Sequence, residues 1–343
     1  PEVHADRRIT FRFRAPNAKE VTVRGEFGAK AHPLARAENG TWEVTIGPLE
    51  PDIYGYTFQV DGVSTIDPSN AAVKTGVRSS QSMVTVPGPE PMFYDEQDVP
   101  HGTLHRHFYK SKALGDRRDF LVYTPPGYQQ DTRKKYPVLY LLHGAGDHSR
   151  SWVEVGRANF ILDNLLADKS AEPMLIVMPF GHAYGGPDRV RQTLNENVKR
   201  FGEDLLGDII PAVESRYRVL KNPQYRAIAG LSMGGGQALK IGMNHLDRFA
   251  WIGGFSSAVF PDDFDEQFSK ATADAANTNS KTSLLWVAIG KDDFLIEPNQ
   301  KFHEMLKAKG VEHTWKETEG AHSWRVWRRY LHELMPLLFQ KTS

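Results

Sequence analysis

Two hydrophobic rhythms divide the chain. Up to about residue 88, apolar and polar positions alternate over short runs, at residues 9–13, 21–24, 42–46, 54–60 and 82–86. A period of two puts successive side chains on opposite faces, so each run predicts a half-buried strand. Pro16-Asn17, Asn39-Gly40, Pro51-Asp52 and Asp61-Gly62 separate the runs and supply turn chemistry. Short strands at this spacing predict a small β-sandwich over residues 1–88. Residues 87–91 read Pro-Gly-Pro-Glu-Pro, which sustains neither helix nor ladder, so 89–99 is expected to be a linker.

Beyond residue 100 the rhythm changes. Residues 138–142 and 175–178 are continuous apolar runs, as parallel strands buried on both faces require, and 226–229, 251–253 and 285–289 are further runs. Between them Phe201, Leu205, Ile209 and Val213 recur every fourth residue, which predicts a helix over 201–217 with one apolar stripe. Alternating β and α segments predict an α/β fold over 100–343, a mostly parallel sheet covered by helices on both faces.

Composition narrows the function. The 343 residues are 40% hydrophobic and 24% charged, enough apolar material for a substantial core. Lys plus Arg and Asp plus Glu balance at 42 each, which argues against a nucleic-acid partner. With no cysteine there is no disulfide, no thiolate metal site and no Cys nucleophile. No apolar run reaches the roughly 18–20 residues that cross a bilayer, so no membrane partner is expected. The numbering opens at Pro1, as it would if a leader had been trimmed, so a missing signal peptide does not argue for the cytoplasm.

The chemistry concentrates at Gly230-Leu231-Ser232-Met233-Gly234, which fits G-x-S-x-G. An apolar strand leads in and a helix-compatible run leads out, the strand–elbow–helix setting in which a serine becomes a nucleophile. Ser232 then needs a base, and the base needs an orienting carboxylate, in the chain order Ser, acid, His. His322 lies in a loop after the strand-like 313–318 and before the final helix, at the sheet edge that carries the elbow. His245, His303 and His332 fall in helical segments and His313 in a strand. For the acid, Asp293 follows the run 284–289; adjacent Asp292 is the alternative, with Asp262, Asp263 and Glu297 behind it. His143-Gly144-Ala145-Gly146 follows another strand, where a first oxyanion-binding N–H belongs; Ala145 is its candidate and Met233 the candidate for the second.

Several of these segments together resemble the esterase D-like family, which includes the feruloyl and acetylxylan esterases of carbohydrate esterase family one and the enterochelin esterases. The segments are Tyr123-Thr124-Pro125-Pro126-Gly127-Tyr128, residues 137–146, the elbow through Gly235, Gly290 with Asp293, and Gly320 with His322 and Trp324. The resemblance covers about residues 100–340. It implies an α/β-hydrolase fold with Ser232, Asp293 and His322 as triad, a serine ester hydrolase needing no cofactor, and an ester-bearing carbohydrate or aryl ester as partner. Export to a secreted or periplasmic location follows from the relatives' polymer substrates. The front domain resembles the early-set, glycogen-binding-like modules that precede some of these esterases.

Other features keep two readings. Trp42, Tyr54 and Tyr56 would stack on sugar rings if exposed, and a sandwich-core role is preferred. Trp152, Tyr184, Phe294 and Trp324 are candidate substrate contacts, with plain packing as the alternative, and Tyr184 falls in the 180–186 stretch after a strand end. His101, His105 and His107 cluster without visible further ligands, so no metal is expected. The polar stretch 262–281 reads as a helix-and-loop insertion forming a lid or cleft wall. Enterochelin-type hydrolysis, acyl transfer to a sugar hydroxyl and a silent carbohydrate-binding protein remain the alternatives to cell-wall ester hydrolysis.

Overall fold

The computed structural model describes residues 1–28, 30–183 and 191–340. It divides into two compact units, Pro1–Asp95 and Glu96–Ser343, at a point inside the 89–99 stretch.

The first unit holds two antiparallel sheets. One runs in the order Glu2–Val3, Ile9–Arg14, Thr41–Ile46, Ala35–Arg36. The other runs His32–Pro33, Val21–Gly25, Asp52–Val60, Gln81–Val86, Val73–Lys74, with Val63–Thr65 beside Asp52–Val60. The alternating runs set these bounds to within one or two residues. The two- and three-residue strands were missed because they are too short to show a period. Phe11, Val21, Val23, Phe58 and Val86 fill the interior. Trp42, Tyr54 and Tyr56 are buried there as well, so the core role holds and their rings offer no face to a sugar.

The second unit is built on an eight-stranded sheet. Its strands are β1 (Thr103–Lys110), β2 (Arg117–Thr124), β3 (Val138–Leu142), β4 (Leu175–Pro179), β5 (Arg226–Leu231), β6 (Trp251–Phe255), β7 (Leu284–Gly290) and β8 (Thr314–Thr318). They lie in the order β1-β2-β4-β3-β5-β6-β7-β8. β1 and β2 are antiparallel to their neighbours, and β3 through β8 are mutually parallel. Parallel strands need crossovers, supplied by α1 (Ser151–Glu154), α2 (Ala158–Ala167), α3 (Arg191–Asp204), α4 (Ile210–Arg216), α5 (Met233–Asn244), α6 (Phe264–Thr272), α7 (Ala275–Lys281) and α8 (Ile296–Ala308), while α9 (Trp324–Leu334) follows the last strand. The continuous apolar runs become β3 to β7, almost wholly buried, which is the α/β-hydrolase arrangement expected.

One expectation needs correction. The helix over 201–217 is not one piece: α3 ends at Asp204, a π-turn spans Leu205–Ile209, and α4 follows. Pro211 has no N–H to give the Gly207 carbonyl, and its ring would collide with that carbonyl in a regular helix; the wider turn relieves both. The stretch 262–281 carried two readings, lid or cleft wall. Phe264 and Phe268 of α6 lie in the main core, with rings 5.5 and 4.8 Å from Phe302 of α8, and this packing favours the wall.

A buried ion pair fastens the antiparallel edge to the helices. Arg118 of β2 lies 3.3 Å from the Asp204 carboxylate of α3, both sealed from water, and Tyr109 of β1 donates to the same carboxylate at 2.7 Å. Burial pushes the Asp204 carboxyl above its ordinary pKa, against the pull of its hydrogen bonds and of Arg118. Removing one partner strands a charge in the core. Arg118→Leu is expected to lower the unfolding free energy of the second unit by about 3–5 kcal/mol in denaturant titration; a loss below about 1 kcal/mol would show the pair to be dispensable.

Candidate active site

Ser232 sits where β5 turns into α5, with φ 53° and ψ −117°, a conformation that side-chain-bearing residues rarely adopt. Backbone bonds hold it there: Ser232 N–H donates to Phe255 O at 2.8 Å, and Ala258 N–H and Gly236 N–H donate to Ser232 O at 2.9 and 3.0 Å. The flanking glycines are steric necessities. A Cβ at Gly230 would lie 2.5 Å from Gly234 O, and one at Gly234 would lie 2.5 Å from His143 O.

The three expected side chains meet. Ser232 Oγ and His322 Nε2 are 3.0 Å apart, and His322 Nδ1 donates to Asp293 Oδ2 at 2.8 Å and Oδ1 at 3.0 Å. Asp293 comes from the loop after β7, and His322 from the loop after β8. Asp293 is buried, and its Oδ1 also accepts the Leu295 N–H at 2.9 Å. Burial alone pushes its carboxyl up; the bonds from His322, the Leu295 N–H and Ser256 outweigh that, holding it below the ordinary carboxylate range. Asp292, the alternative, is exposed, and Glu297 pairs with Lys301 at 2.7 Å. Asp262 is exposed too, and the Asp263 side chain lies outside the described residues.

The loop after β3 presses against the elbow. A Cβ on Gly144 would come 2.7 Å from Leu231 Cδ1 and 3.6 Å from Ser232 Cβ, so only glycine lets this loop approach so closely. The N–H groups of Ala145, in this loop, and of Met233, first in α5, have no partner among the described residues. His143 anchors the loop: its Nε2 accepts the Gly181 N–H at 2.9 Å, and its Nδ1 donates to Gly144 O at 2.8 Å. Gln237 of α5 donates to Gly181 O at 2.8 Å, tying the loop after β4 into the same assembly.

The candidate substrate contacts divide. Trp152 and Trp324 are 1% and 2% exposed, which corrects their expected place in a cleft. Their rings meet edge to face at 5.0 Å and 82°, and the Trp152 indole N–H donates to Leu142 O at 2.9 Å, so they brace the loop after β3 from beneath. Phe294 is 73% exposed, with its ring 4.5 Å from that of His322. Tyr184 lies outside the described residues.

Two supporting residues carried no sequence signal. Ser256, just past β6, hydrogen-bonds Asp293 and accepts the Trp327 indole N–H at 3.0 Å. Buried Asn299 of α8 receives the Ser257 N–H at 3.2 Å and donates to Ser257 O at 2.8 Å. Only a small polar residue directly after a strand end could have pointed to Ser256. The clustered histidines go separate ways: His101 to Asp163 at 2.8 Å, His105 to Thr124 at 3.3 Å, His107 to Tyr217 at 2.5 Å. Among the described residues no group of three or more His, Cys, Asp or Glu is placed to hold a metal ion.

The family model described as "Putative esterase" matches residues 111–338, and that of carbohydrate-binding module 48 (isoamylase N-terminal domain) matches residues 1–72. The chain is 29% identical over 351 aligned residues to an endo-1,4-beta-xylanase/feruloyl esterase of Xylanibacter ruminicola, covering 99% of this chain and 46% of that protein. It thus spans about half the length of that relative. A CE1 ferulic acid esterase from Anaeromyces mucronatus, solved with ferulic acid, superposes with TM-score 0.64 at 25% identity over 73% of this chain and 96% of that one. The enterobactin esterase of Shigella flexneri superposes with TM-score 0.71 over 96% of this chain and 92% of that one; at 17% identity this shows the fold alone.

Burial lowers the pKa of His143 from 6.5 to about 4. Between those values the unfolded chain binds a proton that the folded one refuses, so stability falls as pH drops through that window. The term is on the order of 3 kcal/mol. His143→Gln keeps an acceptor and a donor without the titration. Unfolding titrations at pH 7 and 4.5 are expected to show the native protein losing more stability than the variant; parallel losses would contradict the assignment.

Proposed function

We propose, since this chain belongs to the esterase family, that its second unit is a serine hydrolase of carboxylic esters borne by plant cell-wall polysaccharide, with a feruloyl or acetyl group as the acyl part. The observation that carries this is the hydrogen-bonded line from Ser232 through His322 to buried Asp293. The named activities of the Xylanibacter and Anaeromyces relatives support the substrate class. The module matched over the first unit favours a carbohydrate partner, although its large aromatics Trp42, Tyr54 and Tyr56 are spent on the core. Export is proposed with the polymeric substrate; no helix among the described residues is long and apolar enough to cross a membrane.

The mechanism follows from the geometry. His322 Nε2 takes the Ser232 proton as Oγ attacks the ester carbonyl, and Asp293 fixes the imidazole tautomer and stabilises the imidazolium. The Ala145 and Met233 N–H groups receive the oxyanion, worth about 3–4 kcal/mol for each donor. His322 then protonates the departing alkoxide, the acyl-enzyme forms, and water attacks by the reverse sequence to release the acid. None of these steps needs a cofactor.

A second reading, hydrolysis of an enterobactin-type aryl-serine lactone, is compatible with the same fold and the same Ser232–His322–Asp293 line. Methyl ferulate, acetylated xylan and enterobactin assayed side by side separate the two, and the cell-wall reading requires one of the first two to be the better substrate. Ser232→Ala is expected to lower kcat about a millionfold and Asp293→Asn about 10⁴-fold, with the circular dichroism spectrum unchanged. More than a few per cent of residual turnover in Ser232→Ala would remove the serine mechanism.

A further inference from the structure

The triad has a direction. The proton that His322 Nε2 takes from Ser232 must go to the departing alkoxide, so the alcohol side of the ester has to lie within hydrogen-bond reach of His322. The carbonyl oxygen points instead toward the Ala145 and Met233 N–H groups. Whatever lines the His322 side therefore meets the alcohol, not the acid.

Phe294 lies on that side. Its ring is 4.5 Å from the His322 ring, tilted by 46°, and at 73% exposure it is the most exposed of the large apolar side chains described. It follows the buried Asp293 directly, so its backbone is fixed while its ring faces solvent. Phe294 leads directly into α8, and between the start of α8 and the turn after β6 a groove of about 180 Å³ opens. Its walls are Phe260, Pro261, Asp262, Glu297, Pro298 and Lys301, apolar rings beside charged side chains. The volume is several times the ~30 Å³ share of one water, so a ring-sized group fits. A flat apolar face followed by carboxylates and an ammonium suits a sugar, whose C–H face packs on a ring while its hydroxyls take hydrogen bonds.

We propose that Phe294 and this groove bind the sugar bearing the scissile ester, so that the enzyme selects the alcohol half of its substrate here rather than the aromatic acid. The inference rests on the hydrolase reading above and names which half of the ester this surface reads. Phe294 is a substrate contact, and the groove continues along the carbohydrate chain.

The test uses the full chain and pairs of substrates that change one half at a time. Phe294→Ala is exposed and is expected to fold as the native protein does. Its kcat/KM should fall roughly tenfold on feruloylated arabinoxylan oligosaccharide, mostly through KM, and less than twofold on methyl ferulate. Lys301→Ala should show the same bias more weakly. An equal loss on both esters, with a shifted pH profile, would make Phe294 a shield of the His322–Asp293 pair and overturn the proposal. A loss that follows the acid, present for feruloyl and absent for acetyl on the same sugar, would make it an acyl platform and also overturn it. So would unchanged kinetics on every ester. Failure of the hydrolase reading looks different: the native protein would turn over none of these esters.

Discussion

Ser232 is held in a backbone conformation that costs a residue with a side chain on the order of 1–3 kcal/mol, and the rest of the catalytic unit is arranged so that it has no alternative. Phe255 O takes its N–H, and the Gly236 and Ala258 N–H groups take its carbonyl, so β6 and the first turn of α5 grip the residue from both sides. The strain points Oγ away from both elements, into the space that His322 reaches. The glycines around it and Gly144 opposite are consequences of the same constraint, because any Cβ there would occupy backbone or the nucleophile's own neighbours.

Around that fixed point the structure places charge and apolar mass in separate shells. The one carboxylate brought to the imidazole is buried, yet bonds from His322, Leu295 and Ser256 keep it ionised. Beneath the loop after β3, Trp152 and Trp324 supply rigid packing, and neutral His143 supplies a hydrogen-bond post that burial keeps uncharged. Preorganisation of this kind lets oxyanion donors act without reorganising during the reaction.

What the sequence made legible was whatever is local in chain order. The elbow, its glycines and the strands leading into it are contiguous, and five-residue chemistry could be read directly. His322 followed from its place after a strand, and Asp293 from the same logic. The choice between Asp293 and Asp292 depended on which of two neighbours faces inward, and the fold settles it by burying Asp293 and exposing Asp292. Contacts between distant segments were not legible. Trp152 and Trp324 looked like cleft residues because the packing that buries them depends on α1 meeting α9. Ser256 and Asn299 had no motif, since each acts through a loop whose position only the sheet register determines. The π-turn at Leu205–Ile209 was hidden for a related reason: four-residue periodicity continues across it, and only the missing N–H of Pro211 disturbs the ladder.

The most direct measurement of whether the elbow hydroxyl is an activated nucleophile is covalent labelling by a fluorophosphonate, in which Oγ forms a bond to phosphorus and fluoride departs. Peptide mass mapping should find a single adduct on Ser232 in the native protein, with labelling slowed by orders of magnitude in His322→Ala. Adducts scattered over other hydroxyls, or a labelling rate indifferent to the loss of His322, would contradict a serine primed by its histidine.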